Sequence, residues 1–350
     1  MGATTTLSES ELGRRLHAIR GVFWELAVVG DPYADLLRGH VDPRSPEPAM
    51  SFPAPVTRSA VGTWVVTDPA LAATVLTDRS FGHLRTDGRK ARIQVLPLAE
   101  AGLRPGEADR DAVEAALAAT PEARPRWEAA LAEHAPRVAR ALEGREVFDV
   151  LADYAVPLSR AVLAELAREA ADVVERHFPD LARVPDALVT PQRLDDVLAT
   201  TTAVRAAHAA WRVDHPPLPL AILYAATAPT AVAAAIGERL TAGPDAKSLR
   251  RRPPLRLLHR VAHHDMPLGE HRIAENDQVA VVVDDPAVHA AVSAADPWSR
   301  ALAVLLDVTV EAALDALSGH RFALRSLSEP IRRPRSPVTR RLVRWEVTAR

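Results

Sequence analysis

This sequence predicts one mainly α-helical domain with a minor β-sheet, on three observations. Apolar residues recur at helical spacing over most of the chain, strand-like runs are few and short, and the prolines are scattered rather than gathered into a linker. With 350 residues, 48% of them apolar and 25% charged, there is ample material for a core. No internal repeat or low-complexity tract divides it, so the expected domain spans 1–350.

The elements follow in order. Ser8-Glu9-Ser10-Glu11 offers a capping box, after which Leu12, Leu16, Ile19 and Phe23 recur on one helical face until Gly30-Asp31-Pro32 ends the helix. Residues 41–60, rich in proline and serine, read as a loop. Thr63–Thr67 is a short strand, and Asp68 then caps a helix with Pro69 at its first position. Residues 107–143 and 147–178 are helical by periodicity. Pro216–Gly237 carries no charge over 22 residues, which is long enough to cross a bilayer. Its prolines and its dominance by alanine and threonine instead predict a buried core helix. Strands around Val261 and over Val279–Val283, a helix over Ala301–Leu317 and a basic tail complete the chain.

Net charge is −2, which gives no whole-molecule reason to expect nucleic acid or a membrane as partner. With no cysteine there is neither a disulfide framework nor a thiolate metal site. Met1–Ser10 is polar and lacks the apolar core of a secretory signal, so a cytoplasmic protein is expected. Only Lys90 and Lys247 are lysines among 43 basic residues, a bias expected of a GC-rich actinomycete genome.

Residues 247–297 run K-S-L-R-R-R-P-P-L, then H-R-V-A-H-H-D-M-P-L-G-E-H-R-I, then Q-V-A-V-V-V-D-D-P and A-A-D-P-W. That succession resembles the C-terminal half of the bacterial haem-thiolate monooxygenases, the cytochrome P-450 family. The resemblance implies a cytochrome P-450-like fold, and Trp64–Leu76 and Phe148–Leu158 resemble its N-terminal sheet and a helical segment. The family's next element is a Gly-rich loop whose cysteine thiolate ligates the iron. Here Asp296-Pro297-Trp298-Ser299-Arg300 runs straight into a helix, so the fold is expected without its haem-binding loop. The glutamate of the family's Glu-x-x-Arg falls on Lys247, three before Arg250. Its oxygen-activating motif falls on Ala226-Thr227-Ala228-Pro229-Thr230, with a proline where an acid belongs. Arg260 matches the arginine that meets a haem propionate.

Leu12–Trp24, Gly30–His40 and Ile331–Arg340 are similar to a branch that lacks the haem cysteine, the erythromycin-pathway auxiliary protein among them. That branch accompanies glycosyltransferases which attach deoxysugars to macrolides and anthracyclines in actinomycetes. The resemblance implies a pseudoenzyme without cofactor that activates a glycosyltransferase partner. Residues 1–40 would contact that partner, through Leu12, Leu16, Ile19, Phe23 and Trp24. Two alternatives remain open: a monooxygenase with a non-cysteine haem ligand, and an aglycone carrier using the vacated haem pocket.

Two clusters take plainer readings. His259, His263, His264 and His271 with Asp265 suggest a metal site, but His259 and His263 would lie ~13 Å apart along a strand. They are expected to be exposed strand and hairpin side chains. Arg250, Arg251, Arg252, Arg256 and Arg260, with the seven arginines of the last twenty residues, are expected to form a solvated or partner-facing surface. No Walker loop, G-x-G-x-x-G, G-x-S-x-G or H-E-x-x-H is present, so no catalytic residue is assigned.

Overall fold

The computed structural model describes residues 8–38, 52–82, 86, 120–211, 217–239, 241–242, 253, 255–319 and 323–349. Ser8 caps α1 (Glu9–Val28): its hydroxyl accepts the Glu11 amide, and the Glu11 carboxylate accepts the Ser8 amide, closing the reciprocal box. Gly30, at φ +97°, turns the chain in a conformation that side chains rarely adopt. α2 (Pro32–Arg38) then folds back on α1. β1 (Val56–Arg58) and β2 (Trp64–Val66) pair antiparallel, with Val56 opposite Val66. β1 lies inside the stretch expected to be loop; residues 41–51 of that stretch lie outside the described residues. Asp68 accepts the Leu71 amide at 2.9 Å, and Pro69 opens α3 (Pro69–Thr77), followed by β3 (Phe81–Gly82).

α4 (Thr120–Arg140) falls within the helix expected over 107–143. The second expected helix needs correction at its start. Val147–Asp149 is a strand, β4, because it pairs with Glu346–Ala349 near the other end of the chain. Asp149 then accepts the Leu151 and Ala152 amides and caps a π-helical turn, Val150–Ala155, which continues as α5 (Val156–Ala167). α6 (Ala171–Leu181), α7 (Val184–Ala187) and α8 (Leu194–Ala210) lead to α9 (Leu218–Arg239). α9 has the length and hydropathy of a membrane span, but 83% of its most apolar window is buried inside the chain, as expected of a core helix.

Beyond it come β5 (Thr241–Ala242), β6 (Leu257–Ala262), β7 (Met266–Leu268), β8 (His271–Ile273) and β9 (Gln278–Val282). α10 (Pro286–Ala295) and α11 (Pro297–Gly319) follow, then β10 (Leu324–Ser326), β11 (Ile331–Arg332), β12 (Leu342–Arg344) and β13 (Glu346–Ala349). The main sheet has the order β1-β2-β9-β6-β3 and the second β4-β13-β10-β5. In the main sheet β9 is sandwiched between β2, to which it runs parallel, and β6, to which it runs antiparallel. Val279–Val283 is therefore a continuous apolar run, as a strand covered on both faces requires. α9 packs along α11 and α5, and one apolar cluster joins Phe23 near the start to Val347 near the end.

Candidate functional site

One residue, Asp296, separates α10 from α11, so no loop intervenes where a haem-binding loop would stand. Asp296 caps α11, accepting the Ser299 amide at 2.9 Å and the Ser299 hydroxyl at 2.8 Å through Oδ2. Its Oδ1 accepts Arg260 Nη2 at 2.8 Å, with the two side chains 4% and 1% exposed. Arg260, the match to a propionate-binding arginine, is thus neutralised within the protein.

The cavity bordered by this pair is lined by Ile222, Leu257, His259 and Trp298 among others, and holds ≈ 160 Å³. An apolar cavity of about 150 Å³ admits one benzene molecule. A porphyrin is several times larger, and the chain has no cysteine to ligate its iron. His259, the imidazole lining this space, is hydrogen-bonded through Nε2 to Tyr33 Oη at 2.6 Å. The residues present do not fit haem. Pro229 stands inside α9, and the next hydroxyl, Thr230, accepts the Leu342 amide at 3.1 Å. Thr230, in the stretch that resembles the family's oxygen-activating motif, thus ties the core helix to β12. Lys247, Arg250, Arg251 and Arg252 lie outside the described residues.

The histidines and arginines depart from expectation in part. His264 and His271 are exposed, but His259 is half-buried against Tyr33. His263 is half-buried over Gly82, where an added Cβ would come within 2.2 Å of its Nε2. Among the described residues no group of three could hold a metal. Arg256, Arg260 and Arg340 are buried rather than solvated, because each meets a carboxylate. Asp284 bridges Arg256, bound through Nε and Nη2, to Arg340.

The stripe assigned to partner binding is split by the fold. Leu12, Leu16 and Phe23 are buried in the chain's own core, and Ile19 is half-buried against it. This corrects their assignment: the face repeating every three to four residues is the one α1 turns inward. Trp24, a residue on from Phe23, is 53% exposed, with the Arg38 guanidinium 4.8 Å from its ring centre. Val22, Val28 and Val29 are also exposed. These valines were missed in the sequence, although their position off the buried face was a readable signal.

No protein-family profile matches the chain. It is 28% identical to protein DesVIII of Streptomyces venezuelae, over 95% of this chain and 92% of that protein. It is 26% identical to protein AknT of Streptomyces galilaeus, over 97% and 96%. Among solved structures it superposes on P450BioI, in complex with a hexadec-9Z-enoic acid-ligated acyl carrier protein, with a TM-score of 0.63 and 15% identity, over 96% and 100% of the two chains. On epothilone D-bound cytochrome P450epoK the TM-score is 0.60 at 16% identity, over 84% and 93%. These likenesses establish the fold. The cytochrome P450 family protein EryCII of Saccharopolyspora erythraea is 32% identical over 91% of this chain and 85% of its own length, and the chain therefore belongs to the cytochrome P450 family.

Proposed function

We propose that this chain is a non-catalytic auxiliary protein that binds and stabilises a deoxysugar glycosyltransferase of macrolide or anthracycline biosynthesis. Near-full-length similarity to DesVIII, EryCII and AknT carries the reading. The lack of any cysteine and the Arg260–Asp296 pair support it from the chemistry. A benzene-sized cavity suits neither a haem nor a polyketide aglycone, so neither alternative gains support from the structure.

Activation by such a protein needs only differential binding. A partner that prefers the folded transferase stabilises it by about 2.7 kcal/mol at a hundredfold excess over the dissociation constant. No residue of this chain then touches the sugar. The contact surface is the outer face of α1, with Trp24 as anchor and Val28, one turn on, beside it. The whole chain, 1–350, acts as one domain in the cytoplasm.

Co-expression with a deoxysugar glycosyltransferase of macrolide or anthracycline biosynthesis from the same organism, followed by size-exclusion chromatography, tests this reading. The two chains should co-elute as a stoichiometric complex. Separate elution of two folded proteins would overturn it.

A further inference from the structure

A groove of ≈ 760 Å³ runs beside Trp24, between the second half of α1, the end of α2, the Thr190–Arg193 segment and the Pro334–Arg335 turn. Arginines enter it from every side: Arg20 from α1, Arg38 from α2, and Arg193 and Arg335 from the two loop segments. No carboxylate lines it among the described residues. Arg38 is offset by Asp35, its ion-pair partner three residues earlier on α2.

We infer that this groove docks an acidic segment of the partner glycosyltransferase, with Trp24 as the apolar floor against which that segment packs. The inference rests on the auxiliary reading above, and adds the chemistry of the partner's docking segment.

Three features support it. Like charges are gathered from four separate parts of the chain although the net charge is only −2, so the concentration is local. Burial, then the neighbouring Arg20 and Arg193, hold the Arg335 guanidinium below its ordinary value against the opposing pull of Asp196. Carboxylates entering the groove would relieve that repulsion. Arg335 is also held at φ +56°, in the left-handed region that few non-glycine residues adopt. Its carbonyl accepts the side-chain amide of buried Gln192 at 3.0 Å, which fixes the turn presenting this arginine.

The occupant must be a protein segment rather than a small anion because the groove opens onto apolar surface. Trp24 belongs both to the groove and to the exposed helix face that carries Val28, four residues on. A ligand matching both surfaces has carboxylates and apolar side chains on one chain. Interface anchors are enriched in tryptophan and arginine, the two residue types this surface presents.

The test is the affinity of the full chain for the glycosyltransferase that co-elutes with it, measured at about 50 mM and about 300 mM salt. Wild type is compared with Arg20→Glu/Arg193→Glu and with a control of equal charge change on exposed residues elsewhere, Arg272→Glu/Arg300→Glu. The groove variant should bind at least about tenfold more weakly at low salt, with its salt dependence flattened or inverted. The control should bind like wild type. Equal affinity of groove variant and wild type at both salts would overturn the inference while leaving the auxiliary reading intact. Failure of wild type to bind would instead overturn that reading, and this inference with it. Should the groove reversal melt early, Arg20→Gln/Arg193→Gln is measured in its place; unchanged affinity and salt dependence there would overturn the inference equally.

Discussion

Phe23 and Trp24 are adjacent in sequence and opposite in role. A helix rotates about 100° per residue, so Phe23 enters the core at 2% exposure while Trp24 emerges at 53%. Phe23→Ala should cost about 3–5 kcal/mol of stability through the cavity it leaves. Trp24→Ala should change stability by only about 0.5 kcal/mol while weakening association with the transferase by about 2 kcal/mol. Chemical denaturation of each single variant and a binding titration separate the two effects. Asp296→Ala leaves the Arg260 charge buried and should cost about 3–5 kcal/mol, read as a lower urea midpoint. Asp186 gives a pH-dependent check. It is buried and accepts the Ser336 and Thr339 hydroxyls and the Val338 and Thr339 amides. Burial raises its carboxyl above the ordinary value of 3.8, against the opposing pull of these bonds and of Arg341. The folded state therefore holds this proton more tightly than the unfolded one. Wild-type stability relative to Asp186→Asn should be greatest below pH 3.8 and decline as pH rises through the elevated folded value. A difference that grows over that range would contradict the burial of this carboxylate.

At the scale of elements, what was legible was local. The Ser8–Glu11 box, the Asp68-Pro69 start and the apolar run of Val279–Val283 carry their signals within a few residues, and each formed as read. β4 was not legible, because Val147–Asp149 becomes a strand only by pairing with residues near 347. β1 was hidden likewise inside a proline-rich stretch, its partner supplied by β2. Periodicity found the inward face of α1 and could not say that this face was core rather than interface. That depends on α2 and α8, which pack against it. The arginines misled for a related reason: Asp284 lies 28 residues from Arg256 and Asp296 lies 36 from Arg260, so burial with a partner left no local trace. The cationic groove was invisible for the same reason, since Arg20, Arg193 and Arg335 come together only in the fold.

At the scale of the molecule, a P450 architecture persists without the cysteine, or the loop before α11, that would hold a haem. α11 begins directly after Asp296, Arg260 is neutralised by that residue inside the protein, and the cavity the pair borders holds ≈ 160 Å³. Protein expressed with a haem precursor should therefore show no stoichiometric Soret band in its absorbance spectrum, and a band at one haem per chain would contradict this account of the centre. What remains is a folded surface whose exposed features, Trp24 and the basic groove, suit another protein. The most direct test of that claim is the half-life of glycosyltransferase activity, measured for a deoxysugar glycosyltransferase from the same organism, with and without the chain present. The account predicts a several-fold longer half-life with this chain, lost when Trp24→Ala is supplied in its place. An equally long-lived transferase in its absence would contradict it.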